Sequence, residues 1–252
     1  MKKILITGAK SGIGKYLHEH LGGVGFTREN AEKILSAHER FDVIIHCAYN
    51  SSREVDSENV HSYFSDTIGL TEKLLEMPHK LFIFFSTVDV YPRKKGLHKE
   101  DEIIPLDEVK GMYAITKLIS ESLVRDKSKN FLILRPTGLL GEYSKKGSLM
   151  KVLTDALPAI TLTKNSEINC VLYPDILGFI QRAMEKNIHG IYNIASSQNI
   201  TPVNIAKRMN KKVSFGRFEY NVGAYDTSKA VGIIPAFKKT SEDAIRLFAK
   251  NL

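Results

Sequence analysis

The chain contains no tryptophan, no run of like charges longer than three residues and only two cysteines in 252 residues. With just Cys47 and Cys170, no disulfide framework can carry the fold, and a reduced, cytoplasmic setting is the expectation. Both read as small packed residues, and no metal site is expected. Long apolar runs are absent too. The longest are of strand length, which excludes a membrane-spanning helix. The opening run Ile4-Leu5-Ile6 is too short for a signal-peptide core and leads straight into glycines. Net charge is +8, but the lysines are scattered in pairs such as Lys94-Lys95, Lys145-Lys146, Lys211-Lys212 and Lys238-Lys239. Without a basic stripe interleaved with aromatics, neither nucleic acid nor a membrane is expected as partner. The charge suits a phosphorylated small molecule. A hydrophobic content of 43% suits an α/β core with a small appended lobe.

The patterns that are present begin at Lys2 to Thr7, a short apolar run that ends at glycine and reads as a buried strand. Thr7-Gly8-Ala9-Lys10-Ser11-Gly12-Ile13-Gly14 follows, then a helical stretch through Leu17 and Leu21. A strand, a glycine turn and a helix in this order form a dinucleotide cradle, with the helix N-terminus facing phosphate. The second strand is short, within residues 22–28, and no acidic residue stands at its end to hold an adenosine ribose. Arg28 stands there instead, with Lys10 in the glycine loop, and two cations suit the 2′-phosphate of NADP(H); NAD remains the alternative. Further strands are expected at Asp42 to Ala48, Lys80 to Ser86, Phe131 to Pro136 and Gly190 to Ala195. Helices are expected at residues 30–37, 59–76, 148–156, 173–185 and 201–209, with a last one opening at Ser241. The segment 93–110 reads as a loop. Ser86 and Thr87 close a strand, where hydroxyls face the ligand crevice of a parallel sheet.

Tyr-x-x-x-Lys occurs three times, as Tyr91/Lys95, Tyr113/Lys117 and Tyr225/Lys229. On a helix this spacing places a phenol and an ammonium one turn apart, so that the cation favours the phenolate. Such a pair can move a proton to or from an oxygen while a hydride moves elsewhere.

The glycine loop, Asp42 to Ala48, Ser86-Thr87 through Val90-Tyr91, Tyr113/Lys117, Leu134-Arg135-Pro136-Thr137, Gly190 to Ala195 and Asp226-Thr227-Ser228-Lys229-Ala230 follow one another along nearly the whole chain. In that order they resemble the extended short-chain dehydrogenase/reductase family of nucleotide-sugar epimerases, dehydratases and 4-keto reductases. The resemblance implies a Rossmann-type doubly wound parallel sheet with a small C-terminal substrate-binding lobe. Residues 1–140 and 170–195 would form the nucleotide-binding part, and residues 141–169 and 196–252 the lobe. It selects Tyr113/Lys117 as the reactive pair, with Thr87 as the hydroxyl that holds the substrate oxygen. Lys117 would grip the nicotinamide ribose and lower the Tyr113 pKa. Cofactor contacts are implied for Gly8, Lys10, Ser11, Gly12, Ile13, Gly14, Arg28, Cys47, Ala48, Tyr49, Ser86, Pro136 and Thr137, besides Tyr113 and Lys117. Substrate contacts are implied for Asp89, Gly138, Asn169 and Tyr173.

The chain departs from that pattern in places. Val88-Asp89 replaces the Asp-Glu pair of the dehydratases, which disfavours dehydration; Gly138 replaces an asparagine, and Asn169 an arginine that grips pyrophosphate. The function implied is reduction of a 4-keto sugar on a nucleotide, with an epimerase that recycles a tightly held NAD as alternative. A cofactor-binding sensor or scaffold without turnover is the reading from outside the enzymes. A homodimer is implied, with Ile115, Leu118, Ile119 and Ser122 in its seam.

Overall fold

The computed structural model describes residues 2–52, 54–221 and 223–250. Its centre is a six-stranded parallel sheet in the order β10-β6-β4-β3-β1-β2. The strands are β1 (Ile4–Thr7), β2 (Val24–Phe26), β3 (Phe41–His46), β4 (His79–Phe85), β6 (Phe131–Pro136) and β10 (Gly190–Ile194). From β1 the chain steps outward to β2, then returns past β1 to β3. That reversal makes the crevice above the carboxyl ends of β1 and β3 the ligand position of a doubly wound sheet.

Alternation along the strands sorts the core into two layers. Ile4, Ile6, Val43, Ile45, Ile83, Phe85, Leu132 and Leu134 face one side, where α7 (Tyr173–Lys186) supplies Ile176, Phe179 and Ile180. Leu5, Ile44, Phe82, Phe84 and Ile133 face the other, beneath α4 (Leu70–Glu76) and α5 (Met112–Lys127). On the first side α1 (Gly12–Leu21) adds Leu17, and α9 (Ser228–Ile233) adds Ala230. Helix α2 (Ala31–Ser36) packs Ile34 and Leu35 on the second.

The stretch expected to be one helix over 59–76 is broken into α3 (Val60–Phe64), a π-helical turn over Ser65–Gly69, and α4. Thr67 and Thr71 donate their hydroxyls to the carbonyls of Tyr63 and Thr67, four residues back. Side chains that back-bond in this way bend helices.

A smaller apolar cluster gathers α6 (Ser148–Thr154), α8 (Pro202–Arg208) and α10 (Ser241–Ala249) around Ile160, Ile168, Ile200 and Ile205. Two short parallel pairings border it, joining β8 (Ala159–Leu162) to β11 (Ser214–Phe218) and β7 (Gly138–Leu140) to β9 (Cys170–Leu172). A third joins β5 (Leu97–His98) to β12 (Ala224–Tyr225), whose Tyr225 packs in a separate small cluster with Val88, Val90 and Tyr91. The segment read as a loop over 93–110 therefore holds a strand, too short for alternation to reveal. Among the described residues no helix is long and apolar enough to cross a membrane.

His46, at the end of β3, is fully buried and ties the sheet to the bent helix. The Thr7 hydroxyl accepts from the amides of Cys47 and Ala48, so its proton goes to His46 Nδ1 at 2.8 Å. Nε2 then donates to Thr71 Oγ1 at 3.0 Å. This chain of bonds requires a neutral ring, and burial, with Lys117 adding to it, pushes the His46 pKa down to about 3. Below its unfolded value of about 6.5 the unfolded chain takes up a proton that the folded chain refuses. Stability is thus complete above that pH and falls by about 1.4 kcal/mol per unit as the pH drops towards 3. Melting temperatures from pH 7 to pH 4 should fall more steeply for the native chain than for His46→Gln. Parallel curves would remove His46 as the cause.

Candidate active site

Two cavities meet at the carboxyl ends of β1, β3 and β4. The larger, of about 830 Å³, runs along the glycine loop to the end of β2 and under Ala48 to Ser51. The smaller, of about 400 Å³, holds Thr87, Asp89, Tyr113 and Lys117. Both are lined by Ile13, Cys47, Tyr49, Gly138, Leu139 and Leu149, which form their common wall.

The glycine loop fits a bound pyrophosphate. A Cβ on Gly14 would lie 2.5 Å from the Gly8 carbonyl oxygen, so only glycine lets α1 pack this close to β1. A Cβ on Gly12 would project into the larger cavity, with the Tyr173 hydroxyl its nearest neighbour at 3.7 Å. Bare backbone therefore faces the space where a phosphate needs to approach. Lys10, Ser11 and Ile13 line the same cavity.

At its far end the two expected cations are already paired. Lys10 contacts Glu29 at 2.5 Å, and Arg28, largely exposed, contacts Asp66 at 3.0 Å. Glu29 was not foreseen. It lies three residues past β2, beyond the strand end where an acid would hold the adenosine ribose. Its hydrogen bond from Lys10 holds its carboxyl down to about 2. Asp66 stands on the π-helical turn and also accepts from Asn50.

In the smaller cavity Thr87, two residues past β4, caps the 3-10 turn over Val88–Val90 by accepting from the Asp89 amide at 3.1 Å. Its hydroxyl lines the cavity, and Tyr113 lies against it. Tyr113 and Lys117 stand one turn apart at the start of α5. Lys117 is buried, and its ammonium donates to the Phe85 carbonyl at 2.6 Å. Nζ sits 6.0 Å from the centre of the Tyr113 ring, and burial pulls its pKa down to about 8. The expectation that Lys117 lowers the Tyr113 pKa is not met. Burial dominates and raises the phenol, with Tyr49 and Asp89 adding to the rise. Tyr49 packs on Tyr113 with ring centres 5.3 Å apart, and Lys145 lies over its ring.

The other candidates divide between the two cavities. Ser86 lines the smaller cavity, with its hydroxyl turned away to Glu121 at 2.5 Å. Pro136 and Thr137 also line the smaller cavity, and Thr137 donates to Asn169 at 2.9 Å. Tyr173, expected at the substrate, lines the larger cavity, because α7 carries it beneath the glycine loop. Asn169 lines the smaller cavity, but its amide is fully engaged. The oxygen accepts from Thr137 and the Ser196 amide, and the nitrogen donates to the Ser196 carbonyl and Asn199. Such an amide has nothing left to offer a substrate. Gly138 runs against the Asn169 main chain, where a Cβ would lie 2.9 Å from the backbone carbonyl oxygen. Of the other Tyr-x-x-x-Lys matches, Tyr91 is buried against Arg135, while Tyr225, expected to be structural, forms a wall of the smaller cavity. Tyr220 stands beside it. No motif pointed to Tyr220; its only signal is an aromatic residue close beyond a lobe strand.

The model of the NAD dependent epimerase/dehydratase family matches residues 26–177, more than half of the chain. The chain belongs to that family. It is an NAD(P)-dependent enzyme of the extended short-chain dehydrogenase/reductase type, and its parallel sheet is that of the fold. Over 158 residues it is 27% identical to sterol-4-alpha-carboxylate 3-dehydrogenase, decarboxylating, of Dictyostelium discoideum. That match covers 49% of this chain and 48% of the other, so it spans about half the length of the curated relative. Among solved structures, UDP-glucuronic acid 4-epimerase of Bacillus cereus, in complex with UDP-4-deoxy-4-fluoro-glucuronic acid and NAD, superposes with a TM-score of 0.79 at 21% identity, covering 98% of each chain. The dTDP-4-dehydrorhamnose reductase of Bacillus anthracis, in complex with NADP, gives 0.80 at 17% identity, covering 100% of this chain and 99% of the other. At such identities the likeness speaks for the fold.

Proposed function

We propose that this family member is an NADP(H)-dependent oxidoreductase that reduces a ketone, most simply a 4-keto sugar on a nucleotide. One observation carries the reading: Thr87, Tyr113 and Lys117 line a cavity that shares a wall with the glycine-loop cavity. A nicotinamide dinucleotide in the larger cavity would supply the hydride. Tyr113 gives its proton to the carbonyl oxygen, and the Thr87 hydroxyl hydrogen-bonds that oxygen and withdraws its charge. A phenol holds its proton at neutral pH, as a proton donor must, and burial keeps it there. Lys117, with a pKa near 8, remains mostly charged there and holds the cofactor ribose.

Lys10 and Arg28 support the choice of NADP(H). Their pairs with Glu29 and Asp66 are exposed, and exposed pairs are weak enough for a 2′-phosphate to displace. The sugar nucleotide is supported by the ligands bound to the structural neighbours. Residues 1–140 and 170–195 supply most of the cofactor cavity, and residues 141–169 and 196–252 close the substrate side. The outward face of α5, where Ile119 is exposed beside half-buried Ile115, supports a homodimer, while Leu118 packs on the cluster of Val88, Val90 and Tyr91. A cytoplasmic setting agrees with two buried free thiols.

The test is hydride consumption with a nucleoside-diphosphate 4-keto-hexose. One NADPH should be oxidised per ketone lost, and NADH should serve less well. Glu29 favours the second reading, an epimerase that retains NAD, because a carboxylate suits a ribose diol. A purified protein whose nicotinamide resists dialysis, and which alters the sugar with no net NADPH oxidation, would establish that reading instead.

A further inference from the structure

The smaller cavity holds a second polar couple that hydride transfer does not use. Tyr220, two residues beyond β11, donates its hydroxyl to Asp89 Oδ1 at 2.7 Å. It is firmly mounted. Its amide donates to Ser166 Oγ at 3.0 Å, and its carbonyl accepts from the Glu167 amide at 2.8 Å. Its ring carries the Arg93 guanidinium at 5.6 Å on a neighbouring loop. The other oxygen, Asp89 Oδ2, lies 3.4 Å from the Thr87 hydroxyl, a long contact that leaves most of its accepting capacity free. Asp89 is half-buried and lines the cavity with Tyr220, Tyr225, Leu162 and Ile168.

The chemistry of this edge is one-sided. A carboxylate only accepts hydrogen bonds, and a phenol whose proton is committed can only accept with its oxygen. Burial, with Asp89 beside it, raises the Tyr220 pKa well above its usual value, so the proton stays on the phenol. Next to it Thr87, whose hydroxyl lies 3.4 Å from Asp89 Oδ2, and Tyr113 present donors. One side therefore suits a carbonyl oxygen, and the other suits a hydroxyl and repels phosphate, carboxylate and carbonyl groups. Because Asp89 is only two residues from Thr87, the two subsites are neighbours.

Resting on the ketone-reductase reading, we infer that Asp89 and Tyr220 form a hydroxyl-recognition subsite, which makes the substrate a ketone with a hydroxyl on the adjacent carbon. Asp89 accepts from that hydroxyl, and Tyr220 is the specificity-determining residue that holds Asp89 in position. An analogue without the hydroxyl leaves the carboxylate facing carbon. Sites built to bond a hydroxyl reject such analogues strongly. Asp89 is partly exposed, so a ratio of about 10²-fold in kcat/KM is expected, below the extreme for a sealed site.

The probes are a nucleoside-diphosphate 4-keto-hexose and its 3-deoxy analogue, each assayed with the native chain, Tyr220→Phe and Asp89→Asn. The native chain should prefer the hydroxylated ketone by about 10²-fold. Tyr220→Phe should shrink that preference by roughly tenfold, and Asp89→Asn should remove most of it. A merely structural role would lower both substrates alike and leave the ratio untouched, so equal ratios in all three proteins overturn the subsite while reduction itself stands. Absence of hydride transfer to either ketone in the native chain overturns the reductase reading, and this inference with it.

Discussion

Tyr113→Phe should lower turnover of a keto substrate by about 10²- to 10⁴-fold while leaving nicotinamide binding almost unchanged. The substitution removes one oxygen from a side chain whose ring packs on Tyr49 and lies near Lys117. The ring contacts survive, so the fold and the larger cavity lose little. What disappears is the proton donor. In its absence the Thr87 hydroxyl alone faces the developing negative charge, and Thr87 already caps the following turn. A loss of this size corresponds to about 3–5 kcal/mol of transition-state stabilisation. The check is kcat together with the dissociation constant of NADPH. Retained keto-sugar reduction at the native rate would remove Tyr113 from the mechanism.

The second large effect concerns stability. Glu121 lies one turn beyond Lys117 on α5 and is fully buried. Its Oε2 accepts from Arg135 Nη2 at 2.7 Å, and its Oε1 accepts from Arg135 Nε at 3.0 Å and from Ser86 Oγ at 2.5 Å. Arg135 passes the network on to Tyr91, which donates to Asn193 at 2.7 Å. Glu121→Ala would leave a buried guanidinium without its counter-charge, at a cost of about 3–5 kcal/mol. For a chain of this length the melting temperature should fall by roughly 6–20 °C. Exchanging both partners for apolar residues of similar volume, Glu121→Met with Arg135→Leu, should cost far less than the single change. Thermal denaturation of the two variants checks the point, and a single variant as stable as the double would show that the pair is not what holds α5 in place. The substitution also reaches the chemistry. Glu121 supports the charge on Lys117, so its loss should carry the Lys117 pKa below its value near 8.

The parts of the site that were legible in the sequence are those where one local run of residues does the whole job. The glycine loop needs only a strand, a turn and a helix in succession. Tyr113 and Lys117 need only one turn of helix. Where chemistry depends on partners from distant segments, local patterns fail. Asn169 looks free to bind substrate until Ser196 and Asn199 take up its amide. Tyr173 looks like a substrate residue until the path of α7 puts it beneath the glycine loop. Lys10 and Arg28 look like bare cations, because Glu29 reaches Lys10 from the connection after β2 and Asp66 reaches Arg28 from the π-helical turn, and neither belongs to a motif. Strands β5 and β12 have two residues each, too few for period-two alternation to register.

The hydrogen bond between Tyr220 and Asp89 joins residues 131 positions apart. As the chain leaves the ribosome, the last residue lining the larger cavity, Tyr173, emerges well before Tyr220 and Tyr225 complete the smaller one. Domains fold as units, and Ala230 and Phe237, which emerge later still, belong to the core beside α7. A chain that ends before them lacks part of the core under the larger cavity as well as a wall of the smaller one, so both cavities wait on the last segment.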